Sequence, residues 1–300
     1  MKFVYYSFLI TFSLLLASCK NSSSLSDPAV KTAEDAFAGN ATPETYNALI
    51  TSYLDFLKNH KEDKKNQELV LERALSASEK MGNKGQQVVF LNNLMKEYPN
   101  RADHNTNVLK MVQLLDSLNR LAPAHVMSLC YIKANPQDPK SAELKKTLPS
   151  IATPEEYILE IGKAIFSDTI KGFSEENARV YVDACEAYAL TIPNDPETPE
   201  FIFKAAETSN TLRTYDKSFA LYDWIIDNYP THKRAPMALF MKAFLFDGTF
   251  ADSTNSRKYY TEFLEKYPNH EFAKDAKLLL QNVGKSDEEV LKELMDKNKK

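Results

Sequence analysis

Residues 215–232 read YDKSFALYDWIIDNYPTH, and residues 253–270 read STNSRKYYTEFLEKYPNH. Each is an apolar run of helical period closed by a Tyr-Pro-x-His turn. The runs are Ala220-Leu221 with Trp224-Ile225 and Tyr259-Tyr260 with Phe263-Leu264. The form recurs as Tyr98-Pro99-Asn100 after Phe90-Leu91 and Leu94-Met95, as Asn135-Pro136, and as Ile192-Pro193-Asn194. The five prolines are spaced by 37, 57, 37 and 38 residues. Proline cannot continue a helix and drives the residue before it out of the α region, so each marks a helix end at a fixed phase. Upstream, the second residue of Arg73-Ala74, Lys110-Met111, Lys204-Ala205 and Lys242-Ala243 lies 25 positions before its proline; Ala164 of Lys163-Ala164 lies 29 before Pro193. A small residue there lets the second helix of a pair approach the first. Met111 breaks that rule, which predicts looser packing in its copy. The pattern is a tandem array of helix pairs.

Composition agrees. The chain has 300 residues, 43% apolar and 26% charged, with a net charge of −4 and only 7 glycines. So few glycines leave little scope for tight positive-φ turns or for loops that cradle phosphates, which disfavours Rossmann, P-loop and multi-turn β folds. A weakly acidic chain presents no broad basic field, so nucleic acid is not an expected partner.

The spacing and the small-residue position resemble the tetratricopeptide repeat, with Phe246 matching the aromatic that family places three after the small residue, here Ala243. The resemblance implies an all-α solenoid of helix pairs. Its best copies are expected as helices over 199–210 and 215–229, then 233–247 and 253–267, capped by a helix over 272–283. That cap should stop at Gly284, with a capping box from Ser286 to Glu289 beyond it. Degenerate repeats are expected over 41–150 and better ones over 151–300. Thr42-Pro43-Glu44 and Thr153-Pro154-Glu155-Glu156 both read as helix starts. About twenty extra residues between Pro136 and Pro193 predict an inserted short helix near 136–152.

The start of the chain carries an address. Met1-Lys2, an apolar run from Phe3 to Leu16 and Leu16-Ala17-Ser18-Cys19 resemble the signal and lipobox of bacterial lipoproteins. That implies a signal peptide over 1–18, lipidation of Cys19 and anchoring by buried methylenes rather than by a spanning helix. Residues 19–40 are expected to form a flexible tether, the serine-rich stretch Lys20 to Pro28 being its clearest part. No aspartate follows Cys19, which by resemblance to enterobacterial lipoproteins implies the outer membrane, facing the periplasm.

Nothing in the sequence spells catalysis. The five histidines contain no pair at zinc-ligand helical spacing, no serine stands between two glycines as a nucleophile elbow requires, and no carboxylate pair sits in a pocket motif. No enzyme activity, cofactor or metal is expected. His232 and His270 are expected to cap helix starts, and Glu155-Glu156 to favour a helix N-terminus. Cys130 and Cys185 are expected to be separate buried thiols.

What remains is recognition. In the tetratricopeptide family the concave groove is lined by first-helix residues, which implies Leu71, Leu75, Ile202, Ala206, Phe240 and Phe244 here. The partner-binding set is expected to be Phe240, Phe244 and Ile202 with Lys204 and Lys242, the last two belonging to a basic row with Arg73, Lys110 and Lys163. The whole resembles tetratricopeptide outer-membrane lipoproteins of the BamD-like type. That resemblance implies a protein-interaction scaffold working in outer-membrane protein assembly. The alternative is a ligand- or glycan-binding lipoprotein of the cell envelope.

Overall fold

The computed structural model describes residues 25, 27–150, 153–167, 172–286, 288, 289, 291, 292 and 295; the regular elements among them are all α-helices. Residues 1–18, expected to be a signal, and Cys19 lie outside the described residues. Among the described residues, no helix is long and apolar enough to cross a membrane. The chain divides into two compact units, residues 1–70 and 71–300, with the division inside α3 (Lys64–Lys80).

The first unit corrects one expectation. Part of the segment assigned to a tether is helix α1 (Pro28–Gly39). Asp27 caps it, accepting from the Ala29 and Val30 amides at 2.9 and 3.0 Å, with proline at the first helical position. Thr42 starts α2 (Pro43–Asn59) in the same way, through a reciprocal cap with Thr45. The two helices bury Val30, Phe37, Tyr46 and Tyr53 between them, and the Tyr53 hydroxyl donates to Glu34 at 2.8 Å.

The second unit is a stack in which each helix pair packs on the next. Its elements after α3 are α4 (Lys84–Glu97), α5 (His104–Ser117), α6 (Leu121–Ala134), α7 (Pro139–Leu144), α8 (Pro154–Ala164) and α9 (Glu175–Thr191). They are followed by α10 (Thr198–Thr211), α11 (Tyr215–Asn228), α12 (Arg234–Gly248), α13 (Ser253–Lys266) and α14 (Ala273–Asn282). Observed ends fall within a residue of those expected for the last two copies and the cap, and α7 is the inserted short helix.

The proline phase is visible in the backbone. Tyr98, Asn135, Ile192, Tyr229 and Tyr267 each end a helix with φ between −131° and −127° and ψ between 48° and 65°. Proline bars these residues from the helical region, and all five settle in one conformation. The turns inside each pair repeat as well. Gly82, Asn119, Arg213 and Ala251 all have positive φ, each seventeen positions before Pro99, Pro136, Pro230 and Pro268. His232 and His270 build one turn twice: their Nδ1 atoms accept the Arg234 and Phe272 amides, both at 3.2 Å. Gly284 has φ +78°, and Ser286 and Glu289 exchange the expected cap bonds.

The middle departs from the lattice. α6 packs chiefly on α9 and only lightly on α8, so the inserted segment sets α8 to one side. Gly162 of α8 is a close-approach residue there, since a Cβ on it would lie 3.0 Å from Tyr181 Cε2. One polar knot ties this joint: Lys133 on α6 donates to Glu155 on α8 at 2.6 Å and to Asp195 beyond α9 at 2.8 Å. The Tyr188 hydroxyl on α9 lies 2.7 and 2.9 Å from the same two carboxylates. Glu155 thus does more than favour its helix terminus. Met111 is buried beside a small cavity of ≈ 40 Å³ lined also by Val88, Met127 and Leu190.

Candidate functional site

The five expected groove residues do not form a groove. Ile202 is fully buried, as are Ala206, Leu71 and Leu75. Phe240 is half-buried in the C-terminal core, stacked on Phe272 at 5.2 Å and edge-on to Phe263 at 5.6 Å. The segment leading into the cap helix therefore covers it. Phe244 alone of the apolar set reaches solvent, at 45% exposure. The first-helix face expected to line a groove is mostly packed against neighbouring helices.

The basic row is also spent internally. Lys242 is 8% exposed, bonds Asp223 of α11 at 2.5 Å and stands 4.2 Å over the Tyr259 ring. Burial works against its charge, but the Asp223 bond outweighs that and holds its pKa above the ordinary lysine value. Lys110 pairs with Glu79 and Lys163 with Glu160. Lys204 is exposed and lies over Phe201 at 5.0 Å, with no ion pair among the described residues. The recurring lysine is in most copies a clasp to a carboxylate, which leaves no continuous positive stripe.

An open aromatic surface sits elsewhere on the same copies. Tyr215 and Phe219 of α11, Phe246 of α12, Phe250 of the following turn and Tyr259 of α13 form a run of partly exposed rings. Tyr215 meets Phe250 edge-on at 5.1 Å, Phe219 stacks on Phe246 at 4.6 Å, and Phe246 stacks on Tyr259 at 5.4 Å. Phe250 is 44% exposed. Of the aromatics on α10 and α11, Phe201, Phe203, Tyr222 and Trp224 are core, whereas Tyr215 and Phe219 belong to this run. Phe250 carried a usable signal: a large apolar side chain inside a turn, next to a residue that takes positive φ.

A second feature lies where α4, α9 and α11 converge. Met95, Pro99, Asn100, Pro193, Asn194 and Trp224 line a polar cleft of ≈ 130 Å³. Lys96 stands 4.9 Å over the Trp224 ring, and burial lowers its pKa. Nearby, Glu186 of α9 pairs with Lys217 of α11 at 2.6 Å, and burial raises its carboxyl above the usual range. Three helices end at this cleft with their carbonyl ends, so it suits lysine as a dipole partner better than it suits an added anion.

Cys130 and Cys185 are free and buried, on the packed pair α6 and α9. Burial pushes the Cys185 thiol up to about 12 and raises Cys130 likewise, which keeps both protonated and unreactive. Among the described residues, no three His, Cys, Asp or Glu side chains are grouped to hold a metal ion. No family model matches this chain, and no curated protein matches it.

Proposed function

We propose that the chain is a non-enzymatic scaffold lipoprotein of the tetratricopeptide type. It is anchored through lipidated Cys19 in the outer membrane, faces the periplasm and docks a protein partner there. The observation that supports docking is the ring run Tyr215–Phe219–Phe246–Phe250–Tyr259, with Phe244 exposed on the same helix α12. Aromatic side chains bring large contact area at low entropic cost and dominate interface energetics. The lipobox supports the anchor, and the BamD-like resemblance supports a place in outer-membrane protein assembly. Stacked rings also favour a second reading, a glycan whose sugar faces lie on Phe246 and Phe250.

A photo-crosslinking residue at position 250 in intact cells should trap one protein partner. The double change Phe244→Ser with Phe250→Ser should weaken that capture about tenfold or more while the chain stays helical. Unchanged capture by the folded double variant defeats the docking surface. Binding on a glycan array, lost in the same variant and with no protein trapped, selects the second reading. Persistent fatty-acid labelling of Cys19→Ala rejects the anchor.

A further inference from the structure

Beyond the turn at Gly284 the chain enters one more helical segment. The Ser286 amide donates to the Glu289 carboxylate at 2.8 Å, and the Glu289 amide donates to the Ser286 hydroxyl at 3.3 Å. That reciprocal cap fixes the start of the helix, and residues 288, 289, 291, 292 and 295 are helical. Leu291 and Met295, one turn apart, are each 54% exposed. In the sequence, Val290 and Leu294 extend the stripe at helical spacing. The preceding helix, α14, leaves Leu278 exposed as well.

The end of a stack of helix pairs needs a polar outer face, and these side chains break that rule. A helix this short is marginal in water on its own, so an open apolar stripe on it calls for a partner. The charges say which. Acidic side chains crowd the start of the segment, at Asp287, Glu288 and Glu289. Basic ones dominate its last five residues, with Lys297, Lys299 and Lys300 against Asp296. Each end suits the helix dipole, but the dipole gives no use for the stripe between them.

A partner surface of one sign, protein or lipid, would match one end of this segment and repel the other. An identical segment running antiparallel matches both. The acidic start of each then lies beside the basic end of the other, with the two apolar stripes between them. Such a contact is isologous and closes at two copies. We propose that residues 286–300 form a self-pairing surface whose partner is a second copy of this chain. The pairing does not use the ring run of α11 to α13, and it stands or falls separately from that docking surface.

The test uses two differently tagged copies of the full chain made in one cell, with one tag captured after detergent extraction. The second tag should be recovered with the first. Leu291→Asp with Met295→Asp should lower that recovery about tenfold or more, at unchanged helicity and melting temperature. Phe244→Ser with Phe250→Ser should leave it intact. Two charge variants read the antiparallel arrangement. Glu288→Lys with Glu289→Lys, and Lys297→Glu with Lys299→Glu, should each weaken self-capture about tenfold. A copy of the first should recover a copy of the second as well as unmodified copies recover each other. A photo-crosslinking residue at position 295 should yield a band of twice the chain's mass. Absence of the second tag, recovery untouched by the Leu291 and Met295 changes, or its loss with the Phe244 and Phe250 changes overturns the pairing. So do charge variants that pair no better together than alone, and a position-295 adduct confined to one chain or to a different protein.

Discussion

Ala251 shows how the repeat tolerates a residue its backbone does not suit. It turns the chain between α12 and α13 at φ +50°, where Gly82 of the first copy has φ +65°. An L side chain in that region crowds its own carbonyl, and glycine does not. Ala251→Gly should raise stability by about 0.5–1 kcal/mol in denaturant unfolding, after the larger entropy loss of glycine offsets part of the relief. Gly284→Ala should do the reverse, because its φ is +78° and the new Cβ would lie 2.9 Å from the Ser253 hydroxyl. The two lysines once grouped in one row separate by the same kind of test. Lys242→Glu would set a buried carboxylate against Asp223 and should cost about 3 kcal/mol or more. Lys204→Glu, exposed and with no ion pair among the described residues, should change stability by less than about 0.5 kcal/mol. Similar melting shifts for both would contradict the assignment of Lys242 as a clasp.

At the level of helices, the joint between α6, α8 and α9 hangs on the Tyr188 hydroxyl. Burial, then the Glu155 and Asp195 carboxylates, hold that phenol far above its ordinary pKa, so it remains a donor at every physiological pH. Tyr188→Phe leaves Lys133 bridging the two carboxylates alone. It should cost about 1–2 kcal/mol and speed amide exchange in α8, while α12 and α13 stay protected. Uniform exchange through both regions would mean that α8 is not held by this knot. The contrast between helix ends and helix neighbours explains what the chain discloses in advance. Pro99, Pro136, Pro193, Pro230 and Pro268 act on the residue beside them, so helix ends follow from local sterics. Asp27-Pro28 carried the same cap-plus-proline signal as Thr42-Pro43, and α1 was legible there despite the serine-rich lead. Burial of Ile202 and the clasp of Lys242 were not legible. Their partners come from other helices, and an exposed lysine row has the same sequence as a paired one. The packing of α6 on α9 across the insertion had no local mark at all. The ring run falls between these cases: its members were visible, but which edges stay open depends on how α11, α12 and α13 are set side by side.

Across the second unit, ion pairs link one helix to the next: Arg101 to Glu72, Arg120 to Asp183, Lys217 to Glu186, Arg234 to Glu200 and Lys242 to Asp223. Among these acids Glu200 is held below its ordinary pKa: burial opposes its charge, but the bonds from Lys233 and Arg234 outweigh that. Such groups stabilise the fold above their unfolded pKa and lose that contribution as pH falls. Glu186 runs the other way. Its side chain is 12% exposed, and burial raises its pKa above 4.5 despite Lys217 and Lys96, with Asp183 adding to the rise. The native state therefore keeps a proton that the unfolded chain releases. Glu186 contributes stability that is full below pH 4.5 and is lost as pH rises through the raised value. Glu186→Gln removes that titration. The stability of the variant relative to the unmodified chain should thus increase as pH rises from 4.5, then level off. Lys217→Met takes away the nearest positive charge, pushes the Glu186 pKa higher and should move the same window to higher pH. Denaturant unfolding across pH 4 to 8 reads both. A relative stability of Glu186→Gln that falls with rising pH, or one that is flat in both variants, would show that the Glu186–Lys217 pair behaves as a solvated surface bridge and that the junction of α9 with α11 is not closed to water.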